Sequence, residues 1–440
     1  MLRHRNGVLL SLLAVLLVAS GCAGGDPGDG GGGGGEDEGG GGESEEVSIV
    51  ASWTGDEQTN FEEVLAAAEE ETGDTYRYQG SDDMATFLGT QIEGGEPPDV
   101  ALIAQPGLVA DLVADGSLVE LGDEAAAQLE ENYAPIWSDL GSVDGTLYGL
   151  YFKAASKATW WYNTALFQQA GVEPPGTWEE MLEAASTVNQ SGVPWMTIGG
   201  ADAWPITDIW ENVYLQVGGP EKYDQLAAHE IPWTDESVIE SFNVLAELFG
   251  DEANLAGGTK GVLQEAFTDS AAAPFLEPPE AATVYLGDFA AGIISAETKA
   301  TVGEDADFFD FPTIEEQTAV VGGGDMGVAL TDNPGAQRLL AFLGTPEAAE
   351  IWASKGGFTS PNANLDTSVY PDEITRRIAE NMIEAADAGT FRFDLSDLLP
   401  AEFGATAGRG LWQRMQEFVE NPDDAEGIAQ KLEADAKKAF

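Results

Sequence analysis

VSIVASWTGDEQTNFEEVLAAAEEETG, residues 47–73, sets a β-rich run against a helix within one short stretch. Val47–Trp53 carries β-branched and aromatic residues, Gly55-Asp56 turns the chain, and Phe61, Val64, Leu65 and Ala68 recur at helical spacing until Gly73. Asn60 reads as the helix N-cap, with Glu63 as its capping-box partner. The unit then repeats. A strand near Thr75–Gln79 precedes a helix around Asp83–Glu93, Pro97-Pro98 stops that helix, and the apolar strand Asp99–Ala104 leads into a helix from Gly107 to Ala114 closed by Gly116. The order βαβαβα predicts a mostly parallel sheet with helices on both faces, because parallel neighbours need a crossover long enough to hold a helix. Ligands of such sheets gather at the carboxyl ends of the strands, where Trp53 and Gln105 fall.

Outward from this unit the alternation continues. Gly145–Phe152 reads as a hairpin strand leading out of the first lobe, and Ala158–Tyr162 and the helix Thr177–Asn189 restart the pattern. Ala281–Phe289 is strand-like, and a strand from Val320 runs through Gly322-Gly323-Gly324 to Leu330. Helices follow near Pro334–Phe342, Pro346–Ala353, Pro371–Ala388, Gly408–Asn421 and Ala425–Lys438. No fixed-period repeat is present. The length of this part fits two α/β lobes.

Before it, Arg3, His4 and Arg5 precede an apolar run from Val8 to Val18, and Ala19-Ser20-Gly21-Cys22 reads as a lipobox. The run is too short to span a bilayer, so lipidation at Cys22 after export is expected, with residues 1–22 as the lipoprotein signal. Cys22 is the sole cysteine, so no intrachain disulfide forms and stability rests on a core. Residues 23–46 are Gly- and acid-rich and have no apolar surface to offset the entropy of ordering, which makes them a tether with a reach on the order of 25 Å. With 18 Lys plus Arg against 78 Asp plus Glu, the net charge of −60 excludes nucleic acid and anionic lipid as partners. The same excess predicts stabilisation by salt.

Several blocks carry a family resemblance: WTGDEQTNFEEVLAAAEEETG (53–73), IEGGEPPDVALIAQPGLVADL (92–112), VDGTLYGLYFKAASKATWWYN (143–163) and VEPPGTWEEML (172–182). AHEIPWTDESV (228–238), VGGGDMGVAL (321–330), GGFTSPN (356–362) and FRFDLSDLLPAEFG (391–404) continue it in family order. The chain resembles the extracellular solute-binding proteins of carbohydrate ABC transporters, in particular the α-glucoside-binding group, and distantly the maltose-binding-protein type. The resemblance implies a periplasmic-binding-protein type II fold, two α/β lobes joined by three hinge crossings near 153–156, 323–327 and 356–361. It assigns 47–153 plus 327–357 to the N-terminal lobe and 154–326 plus 358–440 to the C-terminal lobe. Also implied are a monomer anchored at the outer face of the cell membrane, an oligosaccharide or α-glucoside ligand, and delivery to ABC permease transmembrane subunits. No cofactor, no metal and no catalysis are implied.

Sugar binding asks for flat aromatic faces and for carboxylates or amides that meet hydroxyls. Trp53 beside Asp56, and Trp204 beside Asp208, stand at predicted strand or loop ends. Trp412, near Arg409, matches the family's C-terminal stacking tryptophan, and Tyr162 the Tyr of its Tyr-Asn pair. Gln105 opens a helix, Lys153 sits at the first hinge, Asp288 lies in a strand-end turn, and Gly324 and Asp325 belong to the second hinge. Trp137, Trp178, Trp195, Trp233 and Trp352 read as packing residues. Gly322-x-Gly324-x-x-Gly327 matches a dinucleotide fingerprint only formally, since strand continues after it where a phosphate would need a helix N-terminus. The rival classes are a secreted glycoside hydrolase with paired carboxylates and a lipid-anchored adhesin or sensor accessory. With His4 and His229 as the only histidines, a His-based metal cluster is excluded, and His229 reads as a structural group before Pro232.

Overall fold

The computed structural model describes residues 44–81, 84–314 and 320–440. Cys22, tether residues 23–43 and Asp83 lie outside them. Three strands open the body: β1 (Glu46–Ala51), β2 (Thr75–Gly80) and β3 (Val100–Ile103). Glu46, expected as the last tether residue, is already paired with Thr75 in β1. Both β2 and β3 run parallel to β1. Every residue of β3 is buried, the unbroken apolar run expected of a strand covered on both faces.

A two-residue hairpin, β4 (Ser142–Val143) with β5 (Thr146–Leu147), leads to β6 (Gly149–Ser156). Then follow β7 (Thr159–Asn163), β8 (Met196–Thr197), β9 (Thr283–Tyr285), β10 (Ala306–Asp310), β11 (Val320–Ala329) and β12 (Phe391–Phe393). The first sheet has the order β12-β11-β3-β1-β2, with β6 also paired to β11. A second sheet has the order β10-β7-β9-β8. Phe61, Phe152 and Trp352 pack on one face of the first sheet, while Trp137, Tyr151 and Phe391 pack on the other. The first sheet lies mainly within one hydrophobic cluster, and the second carries one on each face, Trp160 and Phe309 in the larger and Trp161 and Phe308 in the smaller; the two sheets with their clusters define two lobes within the single compact unit Ser44–Phe440.

Three expectations change. The first helix begins at Gly55 with Thr54 as its N-cap, ahead of the expected cap Asn60; Asp56 and Glu57 set negative charge in its first turn, where the helix dipole favours it. Residues 358–393, assigned above to the second lobe, pack mainly with the first: Phe358, Leu365, Met382, Phe391 and Phe393 join its cluster, and β12 extends its sheet. The third passage between clusters accordingly falls between Phe393 and Leu395, not at 356–361. The glycines of β11 serve close packing in a continuous strand rather than unusual backbone angles. A Cβ on Gly324 would stand 2.6 Å from the Lys153 carbonyl oxygen, nearer than two such atoms can come.

Candidate functional site between the lobes

The strands that pass from one lobe to the other carry the charged groups of the site. Along β6 the pairing with β11 runs Gly324 to Ala154 and Asp325 to Lys153, then slips, so that Met326 faces Tyr151 and Phe152 is an extra residue. Strict alternation would send Lys153 to the face opposite Phe152. The bulge re-aims it, as such irregularities do beside functional sites. Lys153 Nζ therefore lies 5.7 Å from the Trp53 ring and 5.1 Å from the Trp352 ring, on the side where Phe152 packs. There it pairs with Glu57 from the first turn of the opening helix. Burial pushes the Asp325 carboxyl up to about 6, against the pull of the Lys153 charge and a bond from the Trp53 side chain.

A second ammonium stands where the passages converge. The Lys157 amide donates to Val321, its carbonyl accepts from Asn212 Nδ2 (2.8 Å) and Tyr285 Oη (2.5 Å), and the Asp394 amide donates to Gly322 (2.7 Å). Lys157 Nζ pairs with Asp394 and lies 3.5 Å from both Asp208 and Asp397. Behind them the buried Glu211 carboxylate accepts from the amides of Leu395 (2.7 Å) and Ser396 (2.9 Å), which fixes the entry of the last segment into the second lobe. Burial raises Asp208 and Glu211 well above the usual carboxylate range and takes Asp397 to about 7. Asp394 resists the same burial because of Lys157 and stays below it. Gln105, at the N-terminus of its helix, hydrogen-bonds Asp397. Thr359, bridged to Ala154, donates to Asp288, whose carboxyl burial lifts to about 6.

Trp204 opens the helical segment Trp204–Ala227, which breaks at Gly219, and its half-buried ring meets Phe267 at 5.2 Å and Phe289 at 6.0 Å. Lys157 Nζ lies 5.8 Å from the same ring. Its neighbour Ala203 is held at φ 68°, ψ −45°, and the Trp204 amide bonds the Asp202 carbonyl at 2.9 Å. This is a strained γ-turn, a conformation that non-glycine residues adopt where the surrounding structure demands it, often at binding sites. Trp412 stands one helical turn before Gln416, whose side chain donates to the Gly200 carbonyl at 2.8 Å, so both belong to the helix face meeting the loop that presents Trp204.

The sequence-derived residues therefore divide. Trp53, Gln105, Lys153, Trp204, Asp208, Asp288, Gly324 and Asp325 come together around the passages between lobes. Trp53 does so as a packed residue: it is 2% exposed, edge-on to Phe61 and Trp352, with both faces enclosed, so its expected stacking surface is covered in this conformation. Asp56 is exposed, and its neighbour Glu57 makes the contact with Lys153. Tyr162 packs on Phe167 and Phe309 in the second core rather than facing the cleft. Arg409 is exposed beside Glu402 and lines a surface hollow with Gln413 and Asp435. Glu57, Lys157, Glu211, Thr359, Asp394 and Asp397 were not anticipated. In so acidic a chain no single carboxylate stands out, although Asp394 and Asp397 lie within the 391–404 block. The five tryptophans expected to pack are at most 6% exposed, and His229 sits beside Glu433 and Phe440.

Two α/β lobes, passed between by β6, β11 and the segment after β12, with polar groups and an aromatic platform at the junction, make a type II periplasmic-binding fold. The solute receptor AcbH, described as having an exclusive preference for β-D-galactopyranose, superposes with a TM-score of 0.79 at 19% identity, covering 90% of this chain and 100% of that one. The GacH receptor of Streptomyces glaucescens gives 0.70 at 15% identity, covering 90% and 99%. A family model described as bacterial extracellular solute-binding protein matches residues 52–350. Over 385 residues the chain is 34% identical to the osmoprotective compounds-binding protein GgtB of Synechocystis sp., covering 86% of this chain and 89% of that protein. Over 399 residues it is 34% identical to the alpha-glucosides-binding periplasmic protein AglE of Rhizobium meliloti, covering 87% and 85%. The chain belongs to the bacterial extracellular solute-binding proteins.

Proposed function

We propose that this chain is the lipid-anchored receptor of a sugar ABC importer, which captures an α-glucoside or oligosaccharide between its lobes and hands it unchanged to permease subunits. The observation that carries the reading is the half-buried Trp204 platform set beside Lys157, Asp208 and Asp397 at the junction of the lobes. An indole face suits the CH surface of a pyranose, and flanking carboxylates suit its hydroxyls. The relatives GgtB and AglE, named for osmoprotective compounds and α-glucosides, support a glucoside ligand. Cys22 and the Gly- and acid-rich stretch after it support the anchor and tether. Titration calorimetry with trehalose, sucrose, maltose and glucosylglycerol in high salt tests the assignment, together with mass spectrometry of the recovered sugar. Binding with intact recovery is expected. Turnover of a nitrophenyl glucoside, or silence across the sugar panel, overturns it.

A further inference from the structure

We propose that the cleft sorts its ligands by charge: it takes neutral sugars, prefers those bearing an ammonium group, and rejects those bearing a carboxylate. This rests on the sugar-receptor reading above. Among the described residues, the cations that reach the junction are Lys153 and Lys157, and protein carboxylates already engage both. Lys153 is held by Glu57, with the charges of Asp325 and Asp288 also acting on it. Lys157 is held among Asp208, Asp394 and Asp397, with Glu211 behind. Two ammonium groups thus stand among seven carboxylates, and each is already paired with at least one of them. An anionic ligand would be brought against like charge, which weakens its binding relative to the neutral parent.

The same excess favours a cation. Burial raises the Asp288, Asp325 and Asp397 carboxyls to about 6, 6 and 7, so near pH 6 part of the carboxylate excess is masked by protons these groups still hold. The tyrosines whose hydroxyls feel the cluster, Tyr78, Tyr151, Tyr223, Tyr285 and Tyr370, are pushed up by burial and stay neutral, so they supply no compensating charge. A ligand ammonium takes the place of such a proton and expels it. Trp204 already has one ammonium near its ring, so its surroundings tolerate a cation beside an aromatic face.

The test uses the unmodified protein and three scaffolds, methyl α-glucoside, maltose and trehalose, each as the parent, the 6-amino-6-deoxy derivative and the 6-uronate. Calorimetry at pH 6, where these carboxyls are still partly protonated, in molar NaCl removes long-range attraction by the acidic surface. On each scaffold whose parent binds, the uronate is expected to bind at least about tenfold weaker and the amino derivative at least as tightly as the parent. Titration in two buffers of different ionisation heat should show proton release with the amino derivative only. Asp397→Asn should shrink the amino advantage. A uronate within about twofold of its parent, or an amino derivative clearly weaker than it, overturns the inference and leaves the receptor reading standing. Failure of every parent and derivative removes the sugar reading itself, and this inference with it.

Discussion

Replacing Lys157 by Met keeps an unbranched stem of similar volume and removes one charge from the junction of the lobes. Its ammonium is the cation bonded to Asp394 and within 3.5 Å of Asp208 and Asp397, and the lysine side chain is only 13% exposed. Removing one partner of a buried pair typically costs about 3–5 kcal/mol, because the charge left behind has neither water nor counter-ion. The sign of the pH dependence follows. In the native protein Lys157 overcomes burial and holds the Asp394 carboxyl below its ordinary 3.8, so Asp394 contributes stability that is present above that value and lost as pH falls through the folded-state pKa. Without the ammonium, burial dominates and Asp394 joins Asp208, Glu211 and Asp397 among carboxyls raised in the folded state. Raised carboxyls contribute stability that is present below their unfolded pKa and lost as pH rises through the folded one. The deficit of Lys157→Met relative to the native protein should therefore be small near pH 5 and grow toward pH 8. Urea denaturation of both proteins at pH 5, 6, 7 and 8 in molar NaCl measures it. A deficit under about 1 kcal/mol at pH 8, or one that does not grow with pH, refutes the view that Lys157 holds this cluster together.

Trp204→Ala and Trp412→Ala should each weaken sugar binding by about 1–3 kcal/mol through loss of stacking area, and unchanged affinity in calorimetry would remove that residue from the site. Gly324→Ala should cost about 1–3 kcal/mol in urea denaturation, since its Cβ would stand 2.6 Å from the Lys153 carbonyl oxygen and force β6 and β11 apart. A net charge of −60 predicts a melting temperature that rises from dilute buffer to molar NaCl, and a flat or falling profile would count against charge repulsion as a destabilising influence.

Much of the architecture was legible along the chain because its signals are local. Alternating strand and helix periods from Val47 to Ala114 announced parallel strands, and the observed β1, β2 and β3 follow them within a residue or two. Gly73 ends its helix in the left-handed conformation that glycine adopts freely. The site was harder to read. Trp53 and Trp204 look alike as tryptophans beside acids, yet one is walled in by Phe61, Trp352 and Lys153 while the other keeps part of its ring free. Lys153 was visible and Lys157 was not, because what distinguishes Lys157 is the arrival of Asp394 and Asp397 from 237 and 240 residues away.

The order of residues alone therefore determined the α/β class, the apolar faces that make two cores, and the acid excess of the surface, all of which depend on composition and short-range period. Only the tertiary structure decided which carboxylates share a lysine, which tryptophan keeps an open face, and that the last passage between lobes follows Phe393. Those outcomes depend on burial and on approaches of less than 4 Å between distant segments. A one-residue slip such as the bulge at Phe152 reverses where a side chain points, and no local pattern in the chain encodes it.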